Sequence, residues 1–396
     1  MNYEDQTSVP DFLEVSLVAE KLSNIEQINE QCKGEKGEKV VSARLRQLGY
    51  ARILVAIYHK DPFYLVQANA ELGFAYLNMK YIPQAEEHLT TAFKMNEPLT
   101  EIDDKEKKEF QIKISVNLAK CYFEKGEINK ALKMSHQNLE QNQLLFGKDH
   151  ISNVDIYYII ANCNTKLENY QEAIEKFRII YDIYEANYGY DLDKTAKVCL
   201  EMAQVYKLWN CLNDAIEKYL NAYNIWDKII TDDNYEVMFQ IAINVADLYT
   251  KINKNENAYQ ILCDTDKKYS DKMERAPKQQ FIFQKMRIKT CLCLKDIDLY
   301  LEENLKLEEI LKKYQNKQKI LAKTCISIGY IYLEKNNKKK CLEYLRTAEE
   351  IFDLNGEKNA KEDIRKRIIE IEKKPDNEEE EEEKDDSFDK IYQEEK

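Results

Sequence analysis

The sequence predicts an all-α protein: a solenoid of stacked helix pairs with a C-terminal capping helix. Three observations predict it, namely scarce glycine and proline, a motif recurring about every 42 residues, and one amphipathic stripe beyond the last copy. With 9 Gly and 6 Pro in 396 residues, the chain lacks the turn and close-approach positions that sheets and nucleotide loops consume. Hydrophobic residues make up 44%, enough to build a core, so the body is not a disordered polypeptide.

Taken in order, residues 1–37 form an N-terminal segment with one helix, 38–358 the repeat array, 359–374 the capping helix and 375–396 an acidic tail. Within the array a large apolar residue, a small one, two spacers and usually an aromatic are followed nine residues later by a second small residue, which opens an amphipathic run. Leu72-Gly73, Tyr76, Ala85, Leu89 and Ala92 are the clearest copy. Others begin at Leu118-Ala119, Ile160-Ala161, Met202-Ala203, Val245-Ala246 and Ile328-Gly329. The second small residue falls at 85, 131, 173, 215, 258 and 341, and a degenerate copy with bulky Tyr300 in that place completes intervals of 46, 42, 42, 43, 42 and 41. Small residues on facing helices let two backbones approach. One such pair cannot bury its apolar face alone, so the units come in arrays. The Tyr300 pair is expected to be the worst packed.

Proline placement agrees with this division. Pro10 precedes the array, Pro62, Pro98 and Pro277 lie between repeats, Pro83 opens a second helix where a missing N–H is harmless, and Pro375 precedes the tail. Gly49, inside an N-terminal helix, has no account. In the capping helix Ile364, Ile368 and Ile371 form one apolar stripe with charge elsewhere, as a terminal cap requires. From Asp376 onward twelve acids meet three lysines, so this tail is expected to be disordered, either as a solubilising segment or in contact with a basic partner or the lysines at Lys335 and Lys338 to Lys340.

The small-residue and aromatic spacing resembles the tetratricopeptide repeat, whose usual period is about 34. The longer period here, with linkers Phe146-Gly147-Lys148-Asp149-His150 and Tyr188-Gly189-Tyr190-Asp191, is similar to the kinesin-light-chain type. The stretch from Ala43 to Leu77 also resembles the tetratricopeptide repeat protein 23 family over a much shorter span. The resemblance implies a right-handed α-α superhelical solenoid of seven or eight pairs whose concave groove, lined by the first helix of each pair, binds a peptide or helix of another protein. It implies a non-enzymatic scaffold or adaptor, and the settings of both families point to a ciliary, axonemal or other microtubule-based complex. The alternative is a regulatory receptor that takes a peptide in its groove. A co-chaperone carboxylate clamp is not expected, because its five positions fall on Ala70, Phe74, Asn117, Asp155 and Ile159, and only the asparagine matches. The candidate groove residues are Asn117 and Lys120, Gln204 and Lys207, and Asn244 and Asp247, with Asn recurring at one repeat position able to donate to and accept from a ligand backbone.

Other chemistry is excluded or unseated. A net charge of −13 argues against nucleic acid. Four separated histidines and one Cys291-x-Cys293 pair, whose side chains diverge on a helix, assemble no metal site. No phosphate-binding glycine motif or nucleophile elbow occurs, so no cofactor and no catalytic residue is expected. The longest apolar run is far short of a membrane span, and the acidic N-terminus carries no secretory signal. The expected compartment is the cytoplasm or a ciliary cytoskeleton, with ten reduced cysteines, those within helices packing as small core hydrophobes.

Overall fold

The computed structural model describes residues 12–35, 37–98, 105–188, 192–229, 235–273, 277–314 and 317–373. The acidic tail and the Gly189 linker lie outside these residues. The described residues form seventeen helices and no strand. The protein is an all-α repeat solenoid. It divides into two compact units, Met1–Val205 and Tyr206–Lys396.

The first unit opens with α1 (Phe12–Gln31) and α2 (Glu38–Ala56), followed by α3 (Phe63–Asn78), α4 (Ile82–Asn96), α5 (Lys105–Glu124), α6 (Ile128–Phe146), α7 (Val154–Lys166), α8 (Tyr170–Tyr188) and most of α9 (Leu192–Leu208). The second holds α10 (Leu212–Trp226), α11 (Glu236–Lys251), α12 (Asn255–Met273), α13 (Pro277–Leu294), α14 (Ile297–Lys312), α15 (Gln318–Glu334), α16 (Lys338–Leu354) and α17 (Lys358–Lys373). Odd-numbered helices from α3 to α15 carry the first small residue of each repeat and the following even-numbered helices the second, except in the α13–α14 pair, where Ile288 and Tyr300 hold these positions.

The glycines at the first small position show what that position does. A Cβ on Gly73 would stand 2.7 Å from Leu89 Cγ and 3.3 Å from the Ala85 carbonyl oxygen on the facing helix. On Gly329 it would meet the Cys341 carbonyl oxygen and Leu345 Cγ at 3.3 Å. The helices thus pack at a separation that a larger side chain would prevent. Ala85, Ala131, Ala173, Ala215, Ala258 and Cys341 are all fully buried opposite these sites.

Each turn within a pair uses one left-handed residue, seven positions past the first small residue: Lys80, Gly126, Glu168, Asn210, Asn253, Lys295 and Asn336 all have positive φ. The next residue donates its N–H back to the carbonyl at the aromatic position, as in Tyr81 to Tyr76, Glu127 to Tyr122 and Asn337 to Tyr332. This six-to-one bond is the Schellman end, which satisfies a carbonyl that the helix leaves open. Lys295 keeps the positive φ in the degenerate copy.

Tyr300 is not loosely held. It is 1% exposed, and its pair is secured by a buried charged network. Arg287 of α13 reaches the fully buried Glu303 of α14 at 2.7 Å and also pairs with Asp266 of α12. Gln284 Nε2 donates to Glu303 Oε2 at 2.8 Å, and Tyr259 donates to Glu303 Oε1 at 3.1 Å. Burial pushes the Glu303 pKa up, but Arg287 and these donors outweigh it and hold the carboxyl below its ordinary value. At the C-terminal end Ile364, Ile368 and Ile371 of α17 are buried in the core of α15 and α16, so this helix closes the array.

Candidate peptide-binding groove

The candidate groove residues lie on first helices, so their repeat positions follow from the register. Two residues before the first small residue stand Glu71, Asn117, Ile159, Glu201 and Asn244, and one residue after it stand Phe74, Lys120, Asn162, Gln204 and Asp247. The two positions are three residues apart and so fall on one face of the helix.

In the first unit, Asn117 Nδ2 donates to the Lys113 carbonyl of its own helix at 2.8 Å. Lys120 Nζ reaches Asp155 of α7 at 3.1 Å, tying one first helix to the next. Lys113 and Glu71 do the same at 3.6 Å, and Arg44 meets Glu71 at 3.1 Å. Gln204 is exposed on α9. In the second unit, Lys207 Nζ lies 3.5 Å from Asn244 Oδ1, and Asn244 Nδ2 donates to the Gln240 carbonyl at 3.0 Å. Asp247 pairs with Lys251 and with Lys289 of α13, both at 3.0 Å. Burial works to raise its pKa, and the two lysines overcome this and lower it. The structure therefore joins Lys207 to Asn244 directly, and engages Asn117, Lys120 and Asp247 with other neighbours. Ala70, at the first clamp position, is fully buried.

One further candidate escaped the sequence reading. Glu201 stands at the same repeat position as Asn117 and Asn244, half-buried, with its pKa raised by burial. Following the asparagine register through every repeat would have found it.

The remaining candidates carry no chemistry. Cys121, Cys291 and Cys325 are buried thiols pushed up to about 12 by desolvation, and Cys163 and Cys341 to about 11. Such thiols stay protonated and unreactive. No cluster of metal-binding side chains occurs among the described residues. No helix among them is long and apolar enough to cross a membrane. The lysine-rich segment is largely engaged: Lys312 pairs with Glu308 at 2.7 Å, Lys319 with Glu357 at 3.0 Å and Lys335 with Asp298.

Close-packed helix pairs with a repeated turn and a polar first-helix face define a helical-repeat interaction protein. Family models of the tetratricopeptide repeat match residues 110–186 and 322–352, and the chain carries tetratricopeptide repeats there. That fold is generally a non-enzymatic scaffold for protein–protein interaction. No curated protein matches the sequence.

Among solved structures, the chain is similar to the signal transduction ATPase with a tetratricopeptide-repeat sensor from Pyrococcus horikoshii, at 14% identity and a TM-score of 0.50, over 90% of this chain and 56% of that one. It is also similar to BtubC from P. vanneervenii, at 17% identity and a TM-score of 0.48, over 57% of this chain and 88% of that one. Aspartyl phosphate phosphatase F from Bacillus subtilis is similar at 14% identity and a TM-score of 0.47, over 87% and 85%. At such identities the likeness concerns fold alone.

Proposed function

We propose that the chain is a non-enzymatic scaffold that holds other proteins within a larger assembly, as a structural or assembly component of a ciliary, axonemal or other microtubule-based complex. The observation that carries the scaffold reading is how the groove side chains are engaged. Lys120–Asp155, Lys207–Asn244 and Asp247–Lys289 link successive first helices to one another, while large apolar side chains lie bare at helix ends. Leu354 is 88% exposed at the end of α16, and Ile57, Leu208 and Trp209 are exposed at the ends of α2 and α9. Apolar side chains at repeat edges suit persistent contacts outside the groove. The microtubule setting is supported by the resemblance of the 42-residue period and the Phe146–His150 linker to the kinesin-light-chain type.

A second reading, a groove-type peptide receptor, is favoured by the recurrence of Asn117 and Asn244 at one repeat position and by exposed Gln204. Affinity purification of the tagged full-length protein, beside N117A/N244A and L208S/W209S variants, separates the two. The scaffold reading expects cytoskeletal partners that survive the asparagine changes and weaken with the edge changes. One dominant partner that vanishes with the asparagine pair would establish the receptor reading instead.

A further inference from the structure

The second helices share a seam four, seven and eleven residues beyond the second small position. It reads Leu89, Ala92, Asn96 in α4; Phe177, Ile180, Tyr184 in α8; Tyr219, Ala222, Trp226 in α10; Leu262, Thr265, Tyr269 in α12; and Leu345, Ala348, Phe352 in α16. Even the degenerate α14 keeps Leu307 and Leu311. Only α6 has no apolar residue there: its seam is Ser135, Asn138 and Asn142. All three are buried.

Asn142 is accounted for. Its Nδ2 donates to Ser152 Oγ at 2.7 Å and Asn153 Oδ1 at 2.9 Å, and Asn153 Nδ2 in turn holds the Gly147 and Lys148 carbonyls at 2.8 and 3.0 Å. Asn142 thus ties α6 to its linker. The other two do no such work. Ser135 Oγ and Asn138 Nδ2 are buried without a hydrogen-bond partner, as is Asn96 Oδ1 on the neighbouring α4. Leaving such groups unpaired costs about 1–3 kcal/mol each, so native folds seldom do so without cause.

The small polar seam coincides with a space. Between the end of α4, the first half of α5 and α6 lies a cleft of about 760 Å3, with Asn138 in its wall. Phe93, Ile112, Met134 and Leu145 give it apolar walls, and Leu144, 82% exposed, stands at its rim. Gln111, Gln137 and Gln141 add further amides to the lining. None of the candidate groove residues lines it.

We propose that this cleft is a second binding site, separate from the groove, which takes an extended segment of a partner protein. The unpaired amide donor of Asn138 in the wall is complementary to the C=O of a peptide backbone, and the lining carboxamides of Gln137 and Gln141 can donate to and accept from the same backbone. The apolar walls accept its side chains in the manner of a preformed pocket of this size. The proposal does not depend on the groove reading.

The test uses a phage-displayed random peptide library selected on the full-length protein, with affinities of recovered peptides measured by fluorescence anisotropy. N138A removes the donor without adding volume and should weaken binding about tenfold, the loss of one buried hydrogen bond. S135L/N138A gives α6 the residues that α4 carries as Leu89 and Ala92; it should abolish binding and raise the melting temperature. N117A/K120A on the first helix α5 should leave peptide affinity unchanged. Bound peptide should slow hydrogen exchange in α4, α5 and α6. The proposal is overturned if no peptide is recovered, if recovered peptides bind N138A as well as the parent, or if they respond to N117A/K120A instead. It is equally overturned if S135L/N138A melts below the parent, since the cleft would then be filled by ordered water or by the chain's own residues 99–104.

Discussion

At the scale of the residue, the left-handed turn is the most regular feature of the chain. Seven residues adopt it, and six of them are not glycine. An L side chain in that region costs about 1 kcal/mol relative to glycine. E168G and K295G should therefore each stabilise the protein by about 1 kcal/mol in urea unfolding, and G126A should destabilise it by a similar amount. Gly73 is governed by space instead. Its Cβ would press on Leu89 at 2.7 Å, so G73A should cost about 1–3 kcal/mol, more than G329A, where the nearest atoms are at 3.3 Å. The cysteines make a third prediction. Seven of the ten are buried, so native alkylation at pH 8 followed by mass spectrometry should label only Cys211, Cys263 and Cys293. The small-residue register was legible because Gly and Ala are visible in a sequence as missing volume. The turn was not, because Lys80, Glu168 and Lys295 carry no mark of a left-handed backbone.

At the scale of the element, the α12–α14 network is where stability should respond to charge. Glu303 has a folded pKa below its unfolded one, so its contribution is complete above the unfolded carboxyl range and is lost as pH falls through the folded value. Hydrogen exchange should accordingly show α13 and α14 losing protection before α15 and α16 as pH falls below the ordinary carboxyl range. E303Q removes the charge facing buried Arg287 and should cost about 3–5 kcal/mol, whereas an R287M/E303L double substitution should be close to neutral. Tyr300 was legible as an exception to the register. Its solution was not, because Arg287, Gln284 and Glu303 meet from two helices with no sequence motif to announce them. The polar seam of α6 was visible in the letters, but its meaning appears only with Asn138 placed in the wall of a cleft.

For the whole molecule, two compact units make a single all-or-none transition the wrong expectation. Repeat arrays gain stability from neighbours, and distant parts melt with limited coupling. Calorimetry of the full chain should give a calorimetric enthalpy larger than the van't Hoff value, and E303Q should shift only the component that reports α10 to α17. The groove candidates show how function was partly legible. Their repeat positions followed from the register, but their pairing across successive helices did not, since Lys120 and Asp155 stand 35 residues apart and Asp247 and Lys289 stand 42 apart.

The shared turn also makes the protein editable in whole periods. Residues 120–161 span 42 positions, from just after one first small residue to the next. Excising them would join the N-terminal half of α5 to the C-terminal half of α7 with the small residues, aromatic position and left-handed turn still in phase. Removing 40 residues or 44 would rotate the second half of the fused helix and turn its buried side chains to water. A lineage that lengthens or shortens this protein by unequal recombination within its helices can therefore do so only in steps of one period.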